Sequence, residues 1–169
     1  APLDVAQFNH YSTDLTSVAL WMDYMRHFSK LPFWNTETQA SWNGSVKFGH
    51  SLQDEGFIYM NTWLPIMLGG EANLYWLWRT HWAGHELMHG AVLDTCGRYT
   101  YANAEIRKAS SEFNKVKEFI TDYKVKSDTA LLCSSLNWNI KLSQDINGAI
   151  DGNLGLVEKI YKSLLRSGI

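Results

Sequence analysis

The amino-acid sequence predicts an α/β chain built on a parallel sheet, and two observations carry that expectation. Short apolar runs alternate with segments of helical period in the order β-α-β-α-β-loop-α, the rhythm of right-handed βαβ units. The third run, Leu74-Tyr75-Trp76-Leu77-Trp78, is almost wholly apolar, which suits a buried parallel strand.

Each element has its own signal. Leu3, Val5 and Phe8 mark a first strand over residues 3–8, and the polar Asn9-His10-Tyr11-Ser12 reads as the loop after it. Asp14 or Thr16 caps a helix whose period is kept by Val18, Leu20, Trp21, Tyr24, Met25 and Phe28. Lys30-Leu31-Pro32 turns the chain back. Residues 32–37 form a second strand, with Pro32 at the first position, where no ladder donor is lost. A polar loop over residues 38–49 leads to a helix opened by Ser51 and ended by Pro65 and Gly69-Gly70. The third strand covers residues 73–78. A long loop rich in Gly, His and Trp runs over residues 79–100, and loops of that length in compact domains tend to be functional. A third helix spans residues 103–123, with Ile106, Phe113, Val116, Phe119 and Ile120 on one side.

After Tyr123 the composition shifts. Residues 124–127 are a polar connector, residues 128–134 read as another apolar strand, a polar loop extends through Asn139, and a helix lies near residues 154–167. The domain boundary falls near residues 121–127, giving a first domain over residues 1–122 and a second over residues 123–169. Three βα units are too few to close a barrel. The sequence therefore predicts a chain that is part of something larger or completes its sheet with another chain, and Ser167-Gly168-Ile169 reads as a helix-to-strand turn.

Composition excludes several function classes. The chain has 169 residues, 46% of them hydrophobic, enough for a real core. Its formal net charge of −2 gives no electrostatic case for nucleic acid. No apolar run approaches the ~20 residues that crossing a bilayer takes. Cys96 and Cys133 form no CxxC pair and read as two buried, reduced thiols, which favours a cytoplasmic setting; the opening Ala1-Pro2-Leu3-Asp4-Val5 lacks the features of a signal peptide. Aromatic content is 14%, with 8 Trp, and flat rings suit the CH faces of sugars as well as cores.

Three constellations carry chemistry. Glu37 ends an apolar strand and begins a polar loop, the place where α/β barrels hold catalytic groups. A carboxylate there, with Trp34, Gln39 and Trp42 near it in sequence, suits a glycosidase nucleophile, and a solvent-facing or Arg-paired strand-end Glu is the plain alternative. His85-Glu86-Leu87-Met88-His89 matches H-E-x-x-H, the zinc metallopeptidase signature, with His81 extending the series and Glu105 or Glu112 as third ligand. That motif must ride on a stable helix. Gly84 and Gly90 bracket it, each costing about 1 kcal/mol in a helix interior, and Trp82-Ala83-Gly84 reads as loop. Finally Trp76 and Trp78, placed on one face by alternation, with Arg79, floor a sugar site or pack under the sheet while Arg79 pairs with an acid.

Taken together these segments resemble family-42 glycoside hydrolases, the β-galactosidase type. Pro32-Phe33-Trp34-Asn35-Thr36-Glu37-Thr38 resembles the family's nucleophile strand. Trp76-Leu77-Trp78-Arg79, then Gly84-x-Glu86-x-x-His89-Gly90-Ala91-Val92-Leu93-Asp94-x-x-Gly97, resembles its last-strand segment, with Thr80-His81 where the pattern has Ser-Arg. Asp4 to Tyr11 resembles the family's D-x-x-S-x-D-x-Y strand, and Thr129 to Ser134 the start of a second, flavodoxin-like domain. The resemblance implies the last three βα units of a (β/α)8 TIM barrel followed by the beginning of a trimerisation domain. It implies a retaining enzyme acting on terminal β-D-galactosides, homotrimeric at full length, with no cofactor or metal. Glu37 is then the nucleophile, Glu86 and His89 are sugar ligands, and Trp42 and Tyr11 line the site. The family's acid/base is a Glu after Asn, and this chain contains no Asn-Glu pair.

Overall fold

The computed structural model describes residues 3–41, 53–87, 89–143 and 154–169. The chain divides into two compact units, Ala1–Val125 and Lys126–Ile169. The first carries a three-stranded parallel sheet in the order β1 (Ala6–Asn9), β2 (Phe33–Gln39) and β3 (Ala72–Trp76). Helix α1 (Leu15–Phe28) joins β1 to β2, α2 (Phe57–Met67) precedes β3, and α3 (Tyr101–Ile120) follows the long loop. The architecture is thus α/β around a small parallel sheet.

Of the two capping candidates, Asp14 caps α1: its Oδ1 accepts from the Thr16 amide at 2.9 Å. Val18, Met22 and Met25 then recur on one face and pack with Ala6 of β1 and Phe33 of β2 as the core, with Phe8, Leu64 and Leu68 beside them. Met22 is fully buried, and truncating it to Ala should cost on the order of 2–5 kcal/mol. Arg26, in the last turn of α1, ties that helix to the end of α2 by donating to the Leu68 carbonyl at 2.8 Å. Gly70 is required there: a Cβ would meet the Pro65 carbonyl oxygen at 2.9 Å and the Phe33 ring at 3.1 Å.

The start of α2 is held by a group far away in sequence. Gly56, with φ +88°, stands at the N-cap and has no side chain to offer. Glu105 of α3 replaces it, accepting from the Gly56 amide at 2.9 Å and the Tyr59 amide at 2.8 Å. Glu112, two turns further along the same face of α3, accepts from the Tyr59 hydroxyl at 2.5 Å and the Trp63 indole at 3.3 Å, and Trp63 packs against Phe113 with ring centroids 4.0 Å apart. The expected helix start at Ser51 lies outside the described residues. On α3, Phe119 does not join the apolar side: it is 82% exposed. Six residues beyond Phe113, it sits about 240° around the helix from that ring.

Register decides which way Glu37 points. Strict alternation would put Phe33, Asn35 and Glu37 on one face, and Phe33 belongs to the helix-facing core. The β2–β3 pairing shifts between Asn35 and Thr38, and the β1–β2 pairing between Phe8 and Asn9. Asn35 bonds Asn73, which donates to the Asn61 carbonyl of α2, while Asn61 Nδ2 donates to Thr38 Oγ1 at 3.0 Å. Asn35 and Thr38 therefore share the helix side although three residues apart, and the irregularity between them releases Glu37 to the other face. Bulges commonly re-aim side chains beside functional sites in this way.

In the second unit α4 (Ser135–Ser143) and α5 (Leu154–Arg166) are the described helices. The strand expected over residues 128–134 does not form, and the polar loop expected through Asn139 is α4 instead. Leu132 is 93% exposed; a parallel strand needs a ladder partner, and the described residues of this unit offer none. Cys96 and Cys133 are free thiols as expected but exposed rather than buried. Cys96 sits in a turn in which Asp94 Oδ1 accepts from the Cys96 and Arg98 amides, and Cys133 lies in the segment that fails to pair. No described helix is long and apolar enough to cross a membrane.

Candidate functional site

The C-terminal ends of the three parallel strands bring four of the five expected site residues into one neighbourhood. Tyr11 follows β1, and its hydroxyl donates to Glu37 Oε2 at 3.0 Å. The His89 ring meets the Tyr11 ring edge-on, with centroids 6.4 Å apart. Burial raises the Tyr11 pKa first, then its bond to Glu37, then the negative charges of Glu37 and Glu86. Glu86 is thus within electrostatic reach of the same phenol. The phenol therefore stays protonated and remains a donor at neutral pH.

Supporting contacts hold this geometry. The His10 amide donates to the Glu37 carbonyl at 3.0 Å and to Asn35 Oδ1 at 3.2 Å, so the loop after β1 is pinned to β2. Gln39, buried at the end of β2, donates from Nε2 to the Ser12 carbonyl. His10 is largely buried against Phe8 and Trp21, and desolvation lowers its pKa to about 4.

The long loop is clamped at its base. Leu93 bridges Arg79 in parallel and Tyr99 in antiparallel sense, with Leu93 N donating to Trp78 O at 2.8 Å and Thr80 N to Leu93 O at 3.0 Å. Residues 81–91 therefore leave and return at one point beside β3, which presents Glu86 and His89 towards Tyr11. Trp76, the last residue of β3, donates its indole N–H to Glu86 Oε2 at 3.1 Å. The sequence suggests a sugar floor or core packing for this Trp, and the polar edge of an indole is the signal that points to a partner. Trp78 lies past the end of β3 and is 66% exposed, so alternation does not carry it onto the Trp76 face. Arg79 pairs with no acid among its described contacts: its guanidinium donates to the Thr95 carbonyl at 2.6 and 3.1 Å.

The described residues of the H-E-x-x-H stretch, 85–87 and His89, are not helical. Residues 85–87 form turns, so the two imidazoles are not stacked one helical turn apart as zinc ligation would need. Glu105 and Glu112, the expected third ligands, are committed to α2. Among the described residues no group of three His, Cys, Asp or Glu side chains is placed to hold a metal. Trp42 lies outside the described residues.

Comparison with known proteins gives a consistent picture. The family profile described as Beta-galactosidase (Glyco_hydro_42) matches residues 2–116. Beta-galactosidase YesZ of Bacillus licheniformis is 28% identical over 99% of this chain, and Beta-galactosidase BgaA of Clostridium cellulovorans 27% over the same share; in each case the alignment covers 26% of the relative. The chain thus spans about a quarter of the length of the curated relatives it matches. Among solved structures, Gan42B, a GH42 beta-galactosidase from G. stearothermophilus, superposes with a TM-score of 0.78 at 22% identity, over 96% of this chain and 25% of that one.

Proposed function

The chain belongs to the Glyco_hydro_42 (β-galactosidase) family, and from that premise we propose that it is the part of a retaining glycoside hydrolase that carries the nucleophile and part of the sugar site. The substrates are terminal β-D-galactosides. The observation that carries the reading is the Tyr11–Glu37 hydrogen bond with His89 packed on the same phenol. Three residues distant in sequence converge where parallel strands end, and such rims are where α/β barrels do chemistry.

In this reading β1, β2 and β3 with their helices are the last three units of a (β/α)8 barrel, assigned to residues 1–122. Residues 123–169 begin a flavodoxin-like domain through which the full-length protein forms a homotrimer in the cytoplasm. The flavodoxin-like and homotrimeric assignments rest on the family resemblance alone, and the cytoplasmic one on the two unpaired cysteines.

The chemistry follows from two carboxyl groups ~5–5.5 Å apart across the glycosidic bond. Glu37 attacks the anomeric carbon and forms the covalent glycosyl-enzyme while a second carboxylic acid protonates the departing oxygen. Water then releases the sugar, with that second group acting as base. The second group is the Glu of an Asn-Glu pair, which the remaining part of the polypeptide has to supply. Tyr11 holds Glu37 by a donated hydrogen bond, which sets the attacking oxygen and tempers its charge. Glu86 and His89 accept and donate to galactose hydroxyls, and by the family resemblance Trp42 is a further sugar-site residue.

The stereochemistry of the first-released product tests this reading. In the full-length polypeptide acting on an aryl β-galactoside, NMR should show β-galactose appearing before mutarotation. First release of the α anomer would contradict double displacement.

A further inference from the structure

One oxygen of Glu86 is bonded from one side and approached from another. The Trp76 indole donates to Oε2 at 3.1 Å, and His81 Nε2 lies 3.8 Å from the same oxygen. The His81 and Trp76 rings are 6.3 Å apart, tilted by 53°, so the carboxylate lies in a notch between indole and imidazole. The imidazole is beyond hydrogen-bond range of the carboxylate, so it acts by packing and polarity. The His81 and Glu86 side chains are each 44% exposed, which leaves the carboxylate reachable from solvent. Glu86 itself sits in a turn, where no helix or sheet ladder restricts its rotamers. Its orientation therefore depends on these two side chains.

We infer that His81 is a positioning residue for Glu86: it closes the solvent side of the Trp76–Glu86 contact, and with both contacts on Oε2 it presents Oε1 to a hydroxyl of the galactosyl group. The inference rests on the reading of Glu86 as a sugar ligand and adds to it what fixes the ligand. His81 touches no reacting atom. Its loss loosens a group that binds ground state and transition state alike, so the effect belongs to KM and not to kcat.

The test is made in the full-length polypeptide that carries this chain. For His81→Ala, KM for a nitrophenyl β-galactoside and Ki for galactose should rise together by roughly tenfold, with kcat changed by less than about threefold. His81→Gln, which keeps a polar donor in the notch, should restore most of both constants, and His81→Leu, which only fills space, should not. The Gln and Leu variants decide the matter even if His81→Ala fails to fold. Unchanged KM and Ki in His81→Ala, or equal values for the Gln and Leu variants, overturns the inference. Glu86→Gln is measured in parallel: if it leaves KM and Ki unchanged, the reading of Glu86 as a sugar ligand falls. If it raises both while the His81 variants do not, the role of His81 alone falls.

Discussion

Tyr11 and Glu37, 26 residues apart in the chain, meet at 3.0 Å through the Tyr11 hydroxyl and Glu37 Oε2. That bond is charge-assisted, and removing a donor to a charged group typically costs about 1.5–3 kcal/mol. Tyr11→Phe in the full-length polypeptide should therefore lower kcat/KM on a nitrophenyl β-galactoside by about 10- to 100-fold. Circular dichroism should show an intact fold. Unaltered turnover would mean that the phenol does not set the nucleophile.

His10 makes a prediction about pH. Burial lowers its folded-state pKa to about 4, from an ordinary value of 6.5. Above 6.5 the imidazole is neutral in both states and contributes no pH dependence. As pH falls from 6.5 to 4 the unfolded chain takes up a proton that the folded chain refuses, so stability is lost on acidification. The loss attributable to this residue is on the order of 2–3 kcal/mol. Urea denaturation at pH 7 and pH 4.5 should show a smaller drop for His10→Gln than for the wild type, and equal drops would contradict the buried neutral imidazole.

Glu105 caps a helix to which it does not belong. Glu105→Ala leaves the Gly56 and Tyr59 amides without their acceptor and should cost about 1–2 kcal/mol. Amide exchange should accelerate first at residues 56–59. Uniform exchange across α1 and α2 would mean that the cap is not local in its effect.

The 169-residue chain by itself should turn over no nitrophenyl galactoside, because on the proposed mechanism it holds one carboxylate of the pair, Glu37, and no Asn-Glu. Measurable, Glu37-dependent turnover by the purified chain would show that a residue on the chain replaces the missing acid.

How much of this was legible in the sequence varies with the range of the interaction. Helix α1 was, because Asp14 and an apolar period through Val18, Leu20 and Met25 are local signals, although that period takes in Tyr24 and Phe28, which are exposed, and passes over Met22, which is fully buried. So was the second strand, opened by Pro32 and carrying Phe33. Glu37 was recognisable as a carboxylate near the end of a strand, although β2 runs two residues past it to Gln39, and its direction was not legible: the bulge that frees it from the helix-facing side depends on how β2 pairs with both neighbours. The cap from Glu105 and the Trp76–Glu86 bond were hidden for the same reason, since each joins residues that only the folded chain brings together. Residues 128–134 misled because an apolar run fits a buried strand only where a partner strand exists.

The central claim is that Glu37 is the nucleophile, and azide rescue tests it most directly. In the full-length polypeptide, Glu37→Ala should abolish hydrolysis of an activated aryl β-galactoside, and added azide should restore turnover by giving the α-galactosyl azide. Full activity in that variant, or rescue yielding the β-azide, would contradict the assignment.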